Sequence, residues 1–342
     1  MPDSRRVAIV LFNLGGPDSL SAVQPFLFNL FNDRNIINLP QPFRWLLAKL
    51  ISTRRAPIAT HVYEQMGGRS PILPNTEAQA TALEAQLSGS DKVRCFIAMR
   101  YWRPFTEDAA KTVKDWGPDE IILLPLYPQF STTTTASSYR VWQDAAQTIG
   151  LSARQRLVCC YPDEPGFIAA LADITATAIA TARKQVPDQA PAIIFSAHGL
   201  PQKIVDAGDP YVTHVEATVA SVAASLGLDR SAYQIAYQSR VGPLKWVGPA
   251  TDETILAAAK ANRPIVIVPV AFVSEHSETL VELDIEYGHL AQENGAAAYV
   301  RAPTVSTHPS FIKGLADLAR AALAEDGPVL HDAGKTKGSC LR

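Results

Sequence analysis

Apolar and polar positions follow two rhythms along this chain. Short runs rich in β-branched and other apolar residues recur at 7–14, 93–99, 120–126, 156–160, 192–197, 233–238, 264–271 and 297–301. Between them, longer segments at 75–87, 106–116, 167–184, 211–226 and 251–261 carry apolar residues at helical spacing. Continuously apolar strands belong to parallel sheets covered on both faces. Their alternation with helices predicts an α/β chain of the doubly wound type.

The chain also resembles itself. Leu11-Phe12-Asn13-Leu14-Gly15-Gly16 aligns with Ile194-Phe195-Ser196-Ala197-His198-Gly199, 183 residues on (194 − 11). Leu124-Pro125-Leu126 with Ser131 aligns with Val268-Pro269-Val270 with Ser274, the serines 143 apart (274 − 131). Two Rossmann-like domains of related topology are expected: residues 1–160 and 161–305, then a C-terminal helix and tail (306–342) packing back on the first domain. The offsets differ by 40 residues (183 − 143), so the first half holds extra chain, placed at about 20–69. That insertion contains Phe26, Leu27, Phe28, Leu30, Phe31, Phe43, Trp45, Leu46, Leu47 and Leu50, interrupted by Pro40 and Pro42. It is either extra core or the wall of a large apolar pocket.

Composition narrows the classes. A length of 342 residues suits two domains, and 47% hydrophobic against 19% charged residues excludes a disordered chain. The formal charge is −2 with scattered Lys and Arg, which lacks the basic stripe of a nucleic-acid binder. The apolar run 7–12 is too short for a signal peptide core, and the best other stretch, 265–273, falls short of the roughly 18 residues of a membrane span. A soluble, cytoplasmic protein able to rest on a membrane is expected. Cys95, Cys159, Cys160 and Cys340 form neither a disulfide framework nor a zinc-site spacing, and read as buried reduced thiols. Adjacent Cys159 and Cys160 would face opposite ways on a strand.

Open parallel sheets bind ligands beyond the carboxyl ends of their strands. His198 ends one predicted strand and is followed by Gly199; Glu278 lies in the first turns of a helix after another. Both fall on the same edge of the second sheet. Neutral imidazole accepts protons near pH 7, and a facing carboxylate suits acid–base or metal chemistry. In the segment 274–286, Ser274 is placed to cap the helix. Glu278, Glu282 and Glu286 then continue one ridge at i+4 and i+8. Like charges at this spacing cost an isolated helix about 0.2–0.5 kcal/mol per pair. The ridge is either a solvated acidic face or a path for hydrated cations and protons, with Glu275 and His276 beside it.

Ile193-Ile194-Phe195-Ser196-Ala197-His198-Gly199-Leu200-Pro201, continuing to Gly208-Asp209-Pro210-Tyr211, resembles the ferrochelatase signature. The resemblance extends to Leu11–Pro17, Arg54-Arg55, Gly67-Gly68-Arg69-Ser70-Pro71, Met99-Arg100-Tyr101, Tyr127–Ser131 and the segment 274–284, and so spans nearly the whole chain. It implies a lyase of haem biosynthesis with two Rossmann-like domains and a porphyrin cleft between them, inserting ferrous iron into protoporphyrin IX with release of two protons. His198 and Glu278 would be the catalytic and metal-contacting residues, with Glu275, His276, Glu282 and Glu286 along a proton or metal path. Leu14, Arg55, Tyr63, Ser70, Arg100 and Tyr127 match positions that line the porphyrin. The aromatic insertion becomes the lip of the cleft and a peripheral membrane contact. The glutamate-bearing helix is widened to a π-turn in relatives.

The residue types fit that chemistry. A flat free-base ring hides its nitrogens, so a site holding it puckered turns binding energy into a lower barrier. Imidazole and carboxylate hold ferrous iron without the grip of a thiolate cage. Iron and porphyrin are then substrates and no cofactor is required. Some relatives carry a [2Fe–2S] cluster near the C-terminus, but the tail 331–342 has only Cys340 where four cysteines are the usual requirement, so no cluster is expected. The alternatives are a coproporphyrin III ferrochelatase, a cobalt or nickel tetrapyrrole chelatase, and a porphyrin or haem carrier without chemistry. The last would leave the His198–Glu278 pair and the acidic ridge without a role.

Overall fold

The computed structural model describes residues 4–240 and 244–324. Among these residues, those up to Cys160 together with those from Leu315 on form one compact unit, and those of Tyr161–Gly314 form the other. The second boundary thus falls inside the last helix, not at residue 305.

In the first unit the order is β1 (Arg6–Asn13), α1 (Val23–Phe31), α2 (Phe43–Gln65), α3 (Ile72–Leu87), β2 (Lys92–Met99), α4 (Thr106–Trp116), β3 (Glu120–Pro125), α5 (Thr135–Thr148) and β4 (Arg154–Leu157). The second unit runs α6 (Pro165–Gln185), β5 (Ala192–His198), α7 (Gln202–Asp206), α8 (Tyr211–Ser225), β6 (Tyr233–Gln238), α9 (Thr251–Lys260), β7 (Pro264–Pro269), a π-helix (Glu278–Glu286), α10 (Tyr287–Glu293) and β8 (Ala298–Arg301). The helix α11 (Pro309–Ala324) follows.

Each unit has one four-stranded parallel sheet, in the orders β2-β1-β3-β4 and β6-β5-β7-β8. The central strands are buried except at an end residue of β1, β3 and β5, because helices cover both faces. Val10, Phe12, Leu123 and Trp142 anchor the first core; Ile194, Ile267, Leu283 and Ala291 anchor the second. Full burial of each large side chain contributes about 1.5–3 kcal/mol.

The internal repeat is closer than the sequence alignment suggests, and one residue out of step with it. Phe12 faces Pro125 and accepts from the Leu126 N–H, as Ser196 faces Pro269 and accepts from the Val270 N–H. The true offset between central strands is therefore 184 (196 − 12), which puts Leu14 in register with His198. Along the neighbouring strands, Ala98 pairs with Phe12 and Ala236 with Ser196, an offset of 138 (236 − 98) that makes Arg100 the counterpart of Gln238. Met99 N–H bonds Pro104 as Tyr237 N–H bonds Pro249, and both prolines follow cis peptide bonds. The β3–β7 offset becomes 144 (269 − 125), so the first half still carries 40 extra residues (184 − 144).

Those residues form α1 and α2, and the insertion proves two-sided. Its inner face joins Val23, Phe26, Leu27 and Tyr63 to Tyr101, with Leu14, Leu30 and Phe31 packed alongside. Its outer face leaves Phe43, Trp45, Leu46, Leu50 and Ile58 exposed.

Two further expectations are corrected. The strand β4 ends at Leu157, so Cys159 and Cys160 lie beyond it and not on a strand, and both are buried in one cluster with Phe130. Among the described residues one helix, α6, with 21 residues, is long and apolar enough to cross a membrane by length and composition. Half of its apolar window is buried within the second unit, where it packs on α8, β7 and β8 as a core helix does.

Candidate active site

In the second sheet, β5 and β7 are neighbours, but the chain leaves them in opposite directions: β5 leads to β6 on one side, β7 to β8 on the other. This is the switch point where doubly wound sheets open a crevice at their carboxyl edge. His198 is the last residue of β5, and Glu278 opens the π-helix after β7.

The two side chains meet. His198 Nδ1 lies 2.9 Å from Glu278 Oε2, with the imidazole 41% and the carboxylate 25% exposed. His276 Nε2 is 3.6 Å from the same oxygen; its Nδ1 is buried without a hydrogen-bond partner and its ring packs on Phe272. One carboxylate oxygen therefore sits between two imidazoles. Burial opposes charge on both members of the main pair, lowering His198 and raising Glu278. The attraction and hydrogen bond between them outweigh it. His198 ends above its ordinary value of 6.5, and Glu278 well below the usual carboxylate range. The resting pair is an imidazolium and a carboxylate over the acidic side of neutral pH.

Glu282 is half-buried, one step further along the ridge. Its Oε1 accepts the Ser239 N–H (2.9 Å) and the Tyr287 hydroxyl (3.0 Å); its Oε2 accepts the Gln238 amide (3.0 Å) and the Ser239 hydroxyl. Burial and the nearby Glu278 charge push its pKa up, and these hydrogen bonds pull the other way. Glu286 is exposed at the end of the π-helix. The ridge thus runs from the His198 pair to solvent.

Glu275 does not join it. Its carboxylate binds Arg301 Nη1 (3.0 Å) and the Thr304 N–H (3.0 Å), and takes the Thr279 hydroxyl. Arg301 also reaches Asp284 at 3.4 Å, so it brackets the π-helix at both ends. Ser274 is not the cap either: the helix starts at Ser277, and the Thr279 hydroxyl accepts the His276 N–H instead. Nine residues of i→i+5 winding are uncommon and cluster at functional sites; side chains from the sheet hold this one, Gln238 at the Glu278 carbonyl and Tyr299 at the Leu283 carbonyl.

The remaining candidates lie in the first unit. Leu14 and Tyr63 share the apolar cluster of α1 and α2. Exposed Arg55 stacks on Phe31 at 5.9 Å. Ser70 is buried beside Gly16, where a Cβ would stand 2.5 Å from the serine hydroxyl. Arg100 is engaged by Asp33 (2.7 Å) and Ser137 (3.1 Å), and Asp33 also accepts the Tyr101 hydroxyl. Tyr127, its pKa raised chiefly by burial, bonds Ser138. Sequence reasoning missed Gln238, Ser239, Arg301 and Asp33. The first closes β6, whose register in the sheet sets it beside His198, and its residue type alone did not mark it.

This architecture, two doubly wound units over nearly the whole length, is that of the chelatases. The fold matches SirB from Bacillus subtilis, solved with Fe3+, at a TM-score of 0.54 and 11% identity, covering 94% of this chain and 96% of that one. It also matches the sirohydrochlorin chelatase SirB from Bacillus subtilis subspecies spizizenii in complex with cobalt, at 0.51 and 10% identity, over 93% and 95% of the two chains. Within the class, the ferrochelatase family model covers residues 6–323, and the chain belongs to that family. Relatives named ferrochelatase include those of Phenylobacterium zucineum (strain HLK1), 52% identical over 94% of this chain and 93% of the relative, and Wolbachia sp. subsp. Drosophila simulans (strain wRi), 50% identical over 91% and 98%.

Proposed function

We propose that this chain inserts ferrous iron into protoporphyrin IX, yielding protohaem and two protons. The reading is carried by one observation: His198 and Glu278 meet at 2.9 Å at the switch point of the second sheet, in a member of the ferrochelatase family. With Nδ1–H turned to Glu278, a neutral His198 keeps its Nε2 lone pair to accept a pyrrole proton. Glu278 fixes that tautomer and raises the basicity of the ring, and the two side chains offer ferrous iron an imidazole and a carboxylate. His276, Glu282 and Glu286 supply negative charge and exchangeable groups along a route to solvent; Glu275 acts there only by holding Arg301.

Leu14, Tyr63, Ser70 and Tyr127 are suited to the porphyrin plane, and Arg55 and Arg100 to its carboxylates. Exposed Phe43, Leu46 and Leu50, with Lys49 and Arg54 beside them, suit peripheral contact of a cytoplasmic protein with a membrane. No cofactor beyond the two substrates enters this scheme. Cys95, Cys159 and Cys160 form no disulfide among the described residues, and Cys340 lies outside them.

The test is anaerobic incubation with protoporphyrin and ferrous iron, following loss of the free-base spectrum. Catalytic appearance of haem is expected. Stoichiometric porphyrin binding without metal insertion would replace the enzyme with a carrier.

A further inference from the structure

Gln238 touches both halves of the His198–Glu278 pair and is 1% exposed. Its backbone carbonyl accepts the N–H of Gly199, the residue after His198, at 2.8 Å. That approach leaves no room for a side chain: a Cβ on Gly199 would stand 2.8 Å from the same carbonyl. Its side-chain NH2 donates to the Glu278 carbonyl at 3.2 Å and to the Glu282 carboxylate at 3.0 Å. Both of these partners are acceptors, so the amide can be oriented only one way. The opposite amide oxygen accepts the Ser196 hydroxyl at 2.8 Å. Ser196 has then used its one proton, so the Thr251 hydroxyl, 3.0 Å away, donates to Ser196. Thr251, Ser196 and Gln238 form a buried hydroxyl–hydroxyl–amide chain running one way, from the start of α9 through the centre of β5 to the first turn of the π-helix.

The energetic logic is that of a brace. Gln238 adds a side-chain donor at the Glu278 carbonyl, where the π-helix opens, and so ties that first turn to the sheet. It also restrains Glu282, which the neighbouring Glu278 charge repels. Because the same residue is bonded to the strand end that carries His198, it sets the spacing between imidazole and carboxylate.

We infer that Gln238, oriented by Ser196 and Thr251, is a positioning residue that holds the Glu278 carboxylate at working distance from His198. The inference rests on the assignment of that pair to metal insertion.

The experiment measures kcat and separate KM values for protoporphyrin and metal, with the melting temperature, for Gln238→Met, Ser196→Ala and the double variant. Groups that orient a metal ligand typically carry roughly 10–100-fold in activity or metal affinity. Gln238→Met should therefore lose about tenfold or more in kcat or raise the metal KM as much, with the porphyrin KM within about twofold of the original. Ser196→Ala should shift the same constants by less, and the double variant should be no worse than Gln238→Met alone, because both changes break one chain. A side chain that only packs would lower the melting temperature and leave the kinetic constants of the folded enzyme alone. That result in either single variant overturns the role, as does full additivity in the double variant. If Gln238→Met fails to fold, unchanged constants in Ser196→Ala suffice to reject it. Absence of insertion by the unaltered chain would instead reject the proposed function, so the two failures are distinguishable.

Discussion

The two units present the same sheet edge with different chemistry. Leu14 and His198 occupy equivalent positions after the central strand, as Arg100 and Gln238 do after its neighbour. In the first unit that edge carries an apolar side chain packed on α1 and α2 and a guanidinium held by Asp33. In the second it carries an imidazole, a buried amide and an acidic π-helix, where the first unit has the ordinary α-helix α5. The sheet supplies a location, and the side chains at the strand ends decide what happens there. On the proposed function, the first edge suits an apolar, anionic ring and the second the movement of protons and metal.

If only the second edge does chemistry, His198→Ala should have the largest effect. A positioned general base contributes about 10²–10⁴-fold, so insertion should fall by that much while porphyrin binding, followed by fluorescence titration, stays close to the original. Turnover at the original rate would remove the base from the account.

Glu278→Gln comes next, with a loss of about 10–100-fold. It also carries a pH signature in stability. The lowered pKa of Glu278 makes its contribution present above the unfolded value of 4.5 and lost as pH falls through the folded one. The raised pKa of His198 makes its contribution present in full below 6.5 and lost as pH rises through the folded value. The melting temperatures of the original and the variant should therefore differ most between 4.5 and 6.5, with the difference narrowing as pH rises through the folded His198 value.

Arg100→Met should act on the other edge, raising the porphyrin KM several-fold, about 1–2 kcal/mol, with kcat largely kept. A kcat loss equal to that of His198→Ala would place chemistry in both units and break the asymmetry. Along the ridge, Glu282→Gln should be milder than Glu278→Gln, and exposed Glu286→Gln should stay within about twofold. Equal losses at all three positions would mean that the acids only keep a helix face solvated.

Much of this was legible in the residues. The central strands β1, β3, β5 and β7 follow from apolar runs, because parallel strands buried on both faces leave a continuous signal, whereas β4 reads Arg-Gln-Arg-Leu and was found only through the apolar residues after it. The His198–Glu278 pairing follows from strand ends alone, since a parallel sheet gathers its carboxyl ends on one edge. What escaped was set by tertiary contacts. The Leu14–His198 equivalence was missed by one residue because residue-type similarity does not fix strand register. Cys159 and Cys160 extended a predicted strand because local propensity cannot tell the last paired residue from the buried segment after it. Glu275 read as part of the ridge, but Arg301, 26 residues later in the chain, claims its carboxylate. Gln238 carried no signal of its own. A glutamine that closes an apolar strand acquires meaning only when the π-helix is laid across it.

The most direct test of the central claim is the pH dependence of kcat/KM for metal insertion, measured anaerobically in the original protein and in Glu278→Gln. This constant reports the free enzyme. If His198 is the proton acceptor, it must be unprotonated, so kcat/KM should rise with pH through a midpoint above the ordinary histidine value of 6.5. Removing the carboxylate deletes the attraction that raises this midpoint and leaves the burial that lowers it, so the Glu278→Gln profile should move to lower pH even as its plateau falls. A midpoint that stays put, or moves upward, would contradict the account and show that the rate is governed by a proton acceptor other than His198.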